Sequence, residues 1–193
     1  KQAILANTIT RGSIVFDLGG HVGFYTLLAS ELVGDTGKVF VFEPLPRNLA
    51  YLKEHLRLNH ISNAVVVEAA VSNTTGVTSF DVGPSSSMGH ISAAESRLQV
   101  KTVSLDELIS SGQVPEPDFL KIDIEGAEAL ALSGAKTMLA RSHPEIFLAT
   151  HGKEVHEECC RLLRSLDYEL TPIDGMRLEQ SSEIRAVGSP RRS

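Results

Sequence analysis

The chain has 193 residues, enough for one domain with a sizeable core, and its 42% hydrophobic and 22% charged residues suit a globular protein with no fibrous or disordered character. A net charge of -6 leaves no domain-wide basic field, which argues against nucleic acid as the main partner; the basic ending, Arg185 to Arg192, reads as a solvated tail. No run reaches the ~18 apolar residues of a membrane span, no secretory pattern is visible, and the adjacent Cys159 and Cys160 read as reduced thiols, so a cytoplasmic enzyme-sized domain is expected.

Lys1 to Arg11, with Ile4, Leu5 and Ile9, predicts the end of a helix that Gly12-Ser13 stops. The chain begins without Met, and an upstream segment is expected. Ile14 to Asp17 is a first strand, continuously apolar as a strand covered on both faces is. A helix follows over about Gly20 to Leu32, with Phe24, Leu27, Leu28 and Leu32 on one stripe. Beyond the turn Gly34-Asp35-Thr36-Gly37, Lys38 to Glu43 is a second buried strand ending on an acid. Asn48 to Leu58 is the next helix and Val65 to Glu68 the third strand. Such alternation implies parallel strands with right-handed crossovers.

The pattern then changes. Val77 to Val82 and Leu98 to Val103 alternate and predict short edge strands flanking the polar loop 83–90, whose length and position suit a lid over a site. Asn73-Thr74-Thr75 is a turn; its match to a glycosylation sequon is the kind that arises by chance. Ser104 to Ile109 predicts a short capped helix, Asp118 to Ile124 a fourth main strand, Gly126 to Ala140 a helix, Glu145 to Thr150 a fifth strand and Val155 to Leu166 a helix. Tyr168 to Ile173 and Glu183 to Val187 bracket Asp174-Gly175, which predicts an antiparallel hairpin closing the sheet. The expected fold is α/β and Rossmann-like, a mostly parallel central sheet flanked by helices, in a single domain over residues 1–193.

Ligands of an open parallel sheet bind beyond the C-terminal ends of its strands. Those ends carry Asp17, Glu43, Glu68, Asp123 with Glu125, and His151. Each acid taken singly could cap the helix after its strand; a full set of them points to a site. The first strand runs into Asp17-Leu18-Gly19-Gly20-His21-Val22-Gly23, which departs from the G-x-G-x-x-G loop of dinucleotide sites. A carboxylate at Asp17 repels a phosphate and suits a positive or hydrogen-bond-donating group. Glu43 lies twenty positions beyond Gly23, where a carboxylate can accept hydrogen bonds from a ribose diol. Together these point to a nucleoside with an amino or sulfonium group, for which S-adenosylmethionine is the obvious candidate.

Three blocks then carry a resemblance: Asp17 to Thr26, Phe42-Glu43-Pro44-Leu45-Pro46-Arg47-Asn48, and Phe119-Leu120-Lys121-Ile122-Asp123-Ile124-Glu125-Gly126-Ala127-Glu128. Ala69 to Asn73 with Gly76, and Thr102 to Leu108, add to it. The chain resembles the FkbM-type methyltransferases, class I enzymes that use S-adenosylmethionine and in many cases methylate hydroxyl groups. The resemblance implies that Asp17, Gly19, Gly20 and Gly23 surround the methionine moiety, that Glu43, followed by Pro44, takes the ribose hydroxyls, and that Glu68, Ala69 and Ala70 lie near the adenine. It puts Asp123 opposite the methyl group and the acceptor. Where the family often has an acid before the strand-five histidine, this chain has Thr150.

Methyl transfer to a hydroxyl needs alignment of the two reactants and a base for the hydroxyl proton. Asp123, Glu125 and His151 are the candidates; His21 and His90 read as loop residues first. A metal site from His151, Asp123 and Glu125 stays open as an alternative, without a tight ligand spacing to support it. The expected partner is a hydroxylated small-molecule acceptor, a sugar or natural product, with homo-oligomerisation left open. A nucleoside-binding module without turnover stays open as an alternative, and a nicotinamide-dependent oxidoreductase stands behind it, disfavoured by Asp17 and the absent G-x-G-x-x-G.

Overall fold

The computed structural model describes residues 2–81, 90–91 and 98–188. The first half alternates as its hydrophobic pattern predicts: α1 (Gln2–Thr8), β1 (Ile14–Leu18), α2 (Phe24–Val33), β2 (Lys38–Phe42), α3 (Pro46–Leu58) and β3 (Ala64–Val67). There follow β4 (Ala70–Val71), β5 (Gly76–Asp81), β6 (His90–Ile91), β7 (Leu98–Val103) and α4 (Leu105–Ser110). The last part holds β8 (Phe119–Ile122), α5 (Glu128–Ser133), α6 (Lys136–Ser142), β9 (Glu145–Ala149), α7 (Lys153–Ser165), β10 (Tyr168–Pro172) and β11 (Glu183–Gly188).

The main sheet has seven strands in the order β10-β11-β9-β8-β1-β2-β3. β3, β2, β1, β8 and β9 pair in parallel, and β11 lies antiparallel between β9 and β10. The chain builds outward from β1 to β3 on one side and then restarts at β8 on the other. That reversal opens a crevice beyond the tip of β1, where an open sheet holds its ligand.

Strand parity decides what each side of the sheet receives. Phe16 and Leu18 join Leu120, Ile122, Ile146 and Leu148 in the larger core, which α5, α6 and α7 cover. Phe16 is fully buried against the rings of Phe40 and Phe42, at 5.4 and 5.6 Å between centroids. Truncating it to Ala would cost about 3–5 kcal/mol. Val15 and Phe119 point the other way, into a cluster with Leu5, Ile9, Ala29 and Val33. Asp17 and Lys121 share their parity and stand side by side in the β1–β8 register.

Three details differ from the sequence reading. The alternating strands β5 and β7 are not edges of the main sheet; with β4 and β6 they form a separate four-stranded sheet. The helix expected over 126–140 is two helices, interrupted at Gly134 and Ala135. A Cβ at Gly134 would lie 2.2 Å from the Ser72 carbonyl oxygen, and the Gly134 carbonyl accepts from Ser104 Oγ and Asp106 N. The break frees the start of α6, which Asp106 caps by accepting from the Thr137 and Met138 amides. The final antiparallel pair is present, but Asp174-Gly175 sits in a ten-residue connection between Pro172 and Glu183, not in a tight turn. The lid expected over 83–90 lies outside the described residues apart from His90, which belongs to β6.

Candidate functional site

The loop after β1 is pressed between two strands. Gly19 has φ +82°, and a Cβ there would fall 2.1 Å from the Asp123 carbonyl oxygen; at Gly20 it would fall 2.1 Å from Val41 Cγ2. Gly23, with φ +98°, turns the chain into α2. The loop amides are already used: Gly19 N and Gly20 N donate to the Phe42 carbonyl at 3.0 and 3.1 Å, and His21 N donates to Glu43 Oε2 at 2.9 Å. These three amides are therefore not left free to cradle a phosphate.

Asp17 is placed otherwise than the sequence suggests. It is buried, accepts from Thr26 Oγ1 at 2.7 Å, and lies 3.0 Å from Lys121 Nζ. Among the described residues, those lining the cavity beyond β1 do not include it. The side chain that reaches the cavity is Lys121, whose ammonium donates to the Gly19 carbonyl at 2.7 Å and the Leu18 carbonyl at 3.3 Å and sits 5.5 Å from the centre of the Tyr25 ring. Asp17 thus neutralises a buried lysine, and the lysine holds the loop carbonyls. A signal was present in the sequence: a charge inside the apolar strand Phe119-Leu120-Lys121-Ile122 demands a buried partner, and Asp17 has the matching parity.

The cavity has a volume of about 240 Å³. Gly19, Gly20, Glu43, Pro44, Ala70, Asp123 and Glu125 line it, as do Phe42, Val71 and Ala127, which give it apolar walls. Because β2 and β8 flank β1, Glu43 and Asp123 stand on opposite sides of the glycine loop, about 10 Å apart by strand spacing. Glu43 is buried and accepts from Leu45 N, His21 N and Asn48 Nδ2 at 2.9, 2.9 and 3.2 Å. Burial pushes its carboxyl above the ordinary range, against the pull of these donors. A carboxylate offers about four lone-pair directions, so it can accept a further donor from the cavity. Glu68 turns away: it is exposed and paired with Lys53 at 2.5 Å. Ala69, which is buried, and Gly23 are also off the lining.

At the tip of β8 a second group assembles. Glu125, with φ +54°, and Gly126, with φ +99°, reverse the chain and bring Glu128, the first residue of α5, back under the strand tip. A non-glycine residue in that region costs about 1–3 kcal/mol. His151, just past β9, presents Nδ1 to Glu128 Oε1 at 2.8 Å and Nε2 to Glu125 Oε2 and Asp123 Oδ1 at 3.5 and 3.7 Å. The facing atoms of Asp123, Glu125 and His151 lie within 4.8 Å of one another. The tertiary structure therefore joins the three residues proposed as bases from sequence; of these, Asp123 and Glu125 line the cavity and the partly exposed His151 stands beside them. Glu128 was missed. It is fully buried, its Oε1 also accepts from Gly126 N at 3.0 Å, and its hydrogen bond is the main cause raising the His151 pKa, with burial opposing. An acid aligned with Ala131 and Leu132 on the apolar stripe of α5 was the available sign.

Residues 17–170 match the family model described as the Methyltransferase FkbM domain. The chain is 29% identical over 137 residues to the hexuronic acid methyltransferase AglP of Haloferax volcanii, a match covering 70% of this chain and 55% of AglP. Among solved structures, the methyltransferase FkbM of Methylobacillus flagellatus is similar with a TM-score of 0.64 at 19% identity, over 91% of this chain and 43% of that one. An S-adenosylmethionine-dependent O-methyltransferase of Thermotoga maritima gives 0.59 at 14% identity, over 100% of this chain and 66% of that one. Aeropyrum pernix fibrillarin, solved with natively bound S-adenosyl-L-methionine, gives 0.55 at 12% identity, over 96% of this chain and 72% of fibrillarin. The shared fold is the Rossmann-like one of class I methyltransferases, and the chain spans about half the length of AglP.

Proposed function

Since this chain belongs to the FkbM methyltransferase family, we propose that it binds S-adenosylmethionine in the β1 crevice and transfers its methyl group to a hydroxyl of a sugar or related small molecule. The observation that carries the reading is the donor set of the cavity. A buried carboxylate with acceptor capacity to spare, Glu43, suits ribose hydroxyls, while loop amides spent on Phe42 and Glu43 favour a nucleoside over a dinucleotide. Asp123 and Glu125, on the other side, suit a positive centre.

When bound, the cofactor supplies a methyl on a sulfonium, a carbon that an oxygen can attack in line as the C–S pair returns to sulfur. The protein's share is alignment and proton removal. Gly19 and Gly20 let the backbone approach, Lys121 fixes the loop carbonyls, and the cluster of Asp123, Glu125 and His151 is the side assigned to the acceptor in this reading. The relative AglP bears the name hexuronic acid methyltransferase, and a uronic acid offers both hydroxyl and carboxylate oxygens. Two acids at the acceptor side repel a carboxylate and suit a neutral hydroxyl, so a hydroxylated sugar ring is the acceptor class proposed for this chain.

Calorimetry with S-adenosylmethionine, S-adenosylhomocysteine and NAD tests the cofactor. Binding of both adenosyl ligands and not NAD is expected; NAD binding alone would overturn the reading. Turnover is then followed as S-adenosylhomocysteine release over a panel of sugars and uronates. A base-stable ether product is expected, whereas a base-labile ester would overturn the hydroxyl assignment. Cofactor binding with no release on any acceptor would favour a module without turnover.

A further inference from the structure

The proposed reaction needs one group to take the acceptor proton, and three side chains at the β8 tip compete for that role. We propose that Glu128 selects among them: buried beneath His151, it acts as a positioning residue that holds the imidazole by Nδ1–H and leaves Nε2 as the base for the acceptor hydroxyl. The inference rests on the methyl-transfer reading and goes beyond it by naming the residue that sets the tautomer.

The geometry is specific. A carboxylate is acceptor-only, so the 2.8 Å contact between Glu128 Oε1 and His151 Nδ1 requires the proton on Nδ1. In the neutral ring, Nε2 then carries the lone pair. Nε2 faces Asp123 Oδ1 at 3.7 Å and Glu125 Oε2 at 3.5 Å, separations too long for strong hydrogen bonds. These two acids line the cavity, and the imidazole is about one-third exposed beside them. A hydroxyl placed among the three can come within hydrogen-bond reach of Nε2. As the oxygen–methyl bond forms, the hydroxyl proton passes to Nε2 and its bonding pair stays on oxygen. The resulting imidazolium is balanced by Glu128 on one side and by Asp123 and Glu125 on the other.

Glu128 cannot fill this role from solvent, and it is not in solvent: its exposure is 0%. It is fixed from two directions: the turn amide of Gly126 donates to the same Oε1, and α5 sets its backbone. A carboxylate that orients a histidine base through Nδ1 is a recurring arrangement. The groups facing His151 are thus Glu128 from α5 and Asp123 and Glu125 from the β8–α5 turn, all raising its proton affinity.

The test has a readout that needs no cofactor. Nitrogen NMR of His151 in the full chain should show the Nδ1–H tautomer in the neutral form, and the titration midpoint should fall in Glu128→Gln, whose amide oxygen keeps the hydrogen bond but not the charge. In turnover, the acidic limb of the kcat profile should move to lower pH in Glu128→Gln. Its kcat should fall on the order of 10²-fold, with KM for S-adenosylmethionine within twofold. His151→Gln should lose at least as much kcat and keep cofactor binding, and this partly exposed site gives a variant to measure if Glu128→Gln does not fold. An Nε2–H tautomer in the wild type, or kcat in His151→Gln within threefold of wild type, would overturn the inference. So would Mn²⁺ that broadens Nε2 and is required for turnover, because Nε2 would then be a ligand. Failure of the wild type to bind S-adenosylhomocysteine would instead overturn the methyl-transfer reading and leave the tautomer measurement standing.

Discussion

Replacing Lys121 with Met tests the account of the buried pair most directly. Asp17 and Lys121 are 1% and 3% exposed and 3.0 Å apart. At an effective dielectric of about 20, two unit charges at that distance attract by about 5–6 kcal/mol. Desolvation offsets much of this in the intact pair, but removing one partner leaves the other charge buried and uncompensated, at a cost of about 3–5 kcal/mol. The Leu18 and Gly19 carbonyls also lose their donor, at about 1 kcal/mol each if water does not replace it. Lys121→Met should therefore lose about 3–5 kcal/mol in urea unfolding, with an unchanged m-value. The double variant Asp17→Asn, Lys121→Met removes both charges and keeps the volume, so it should recover most of that loss, since a neutral pair costs little. Cofactor affinity should fall in both, because neither holds the Gly19 carbonyl. A Lys121→Met protein within about 1 kcal/mol of wild type, or a double variant no more stable than the single, would mean that Asp17 and Lys121 are not a coupled buried ion pair.

Gly19→Ala combines a left-handed backbone with a Cβ 2.1 Å from the Asp123 carbonyl oxygen; a loss of about 2–4 kcal/mol should appear as a Tm drop of roughly 5–15 °C, together with weakened S-adenosylhomocysteine binding. The carboxyl of Glu43 is raised by burial and should accept ligand hydroxyls best when ionised. Affinity should hold at neutral pH and weaken as pH falls through the raised pKa, with proton release on binding in the mildly acidic range. Calorimetry in buffers of different ionisation heat measures that release, and Glu43→Gln should abolish it. Glu68→Gln breaks only an exposed pair with Lys53. It should leave the urea midpoint unchanged and leave S-adenosylhomocysteine affinity as it was in a parallel titration.

The alternation of β1 to β3, the return to a buried strand at β8 and the acids at the strand tips are legible along the chain, because hydrophobic period and turn residues are local properties. Gly19, Gly20, Glu43, Pro44, Ala70, Asp123 and Glu125, singled out by motif and strand-end position, line the cavity. What those acids face depends on packing between distant segments. Asp17 looked like a ligand contact until strand parity set it against Lys121, more than a hundred residues away in the chain; Glu68 left the site because its side chain points outward to Lys53. Gly134 split a helix that reads as continuous, since its reason for being glycine is the Ser72 carbonyl across the fold. Glu128 stayed hidden within an apolar helix until the turn at Glu125 and Gly126 brought it under His151. Backbone period is written along the chain, but a charge acquires its meaning from its nearest partner, and in a parallel sheet that partner arrives by crossover from a distant segment.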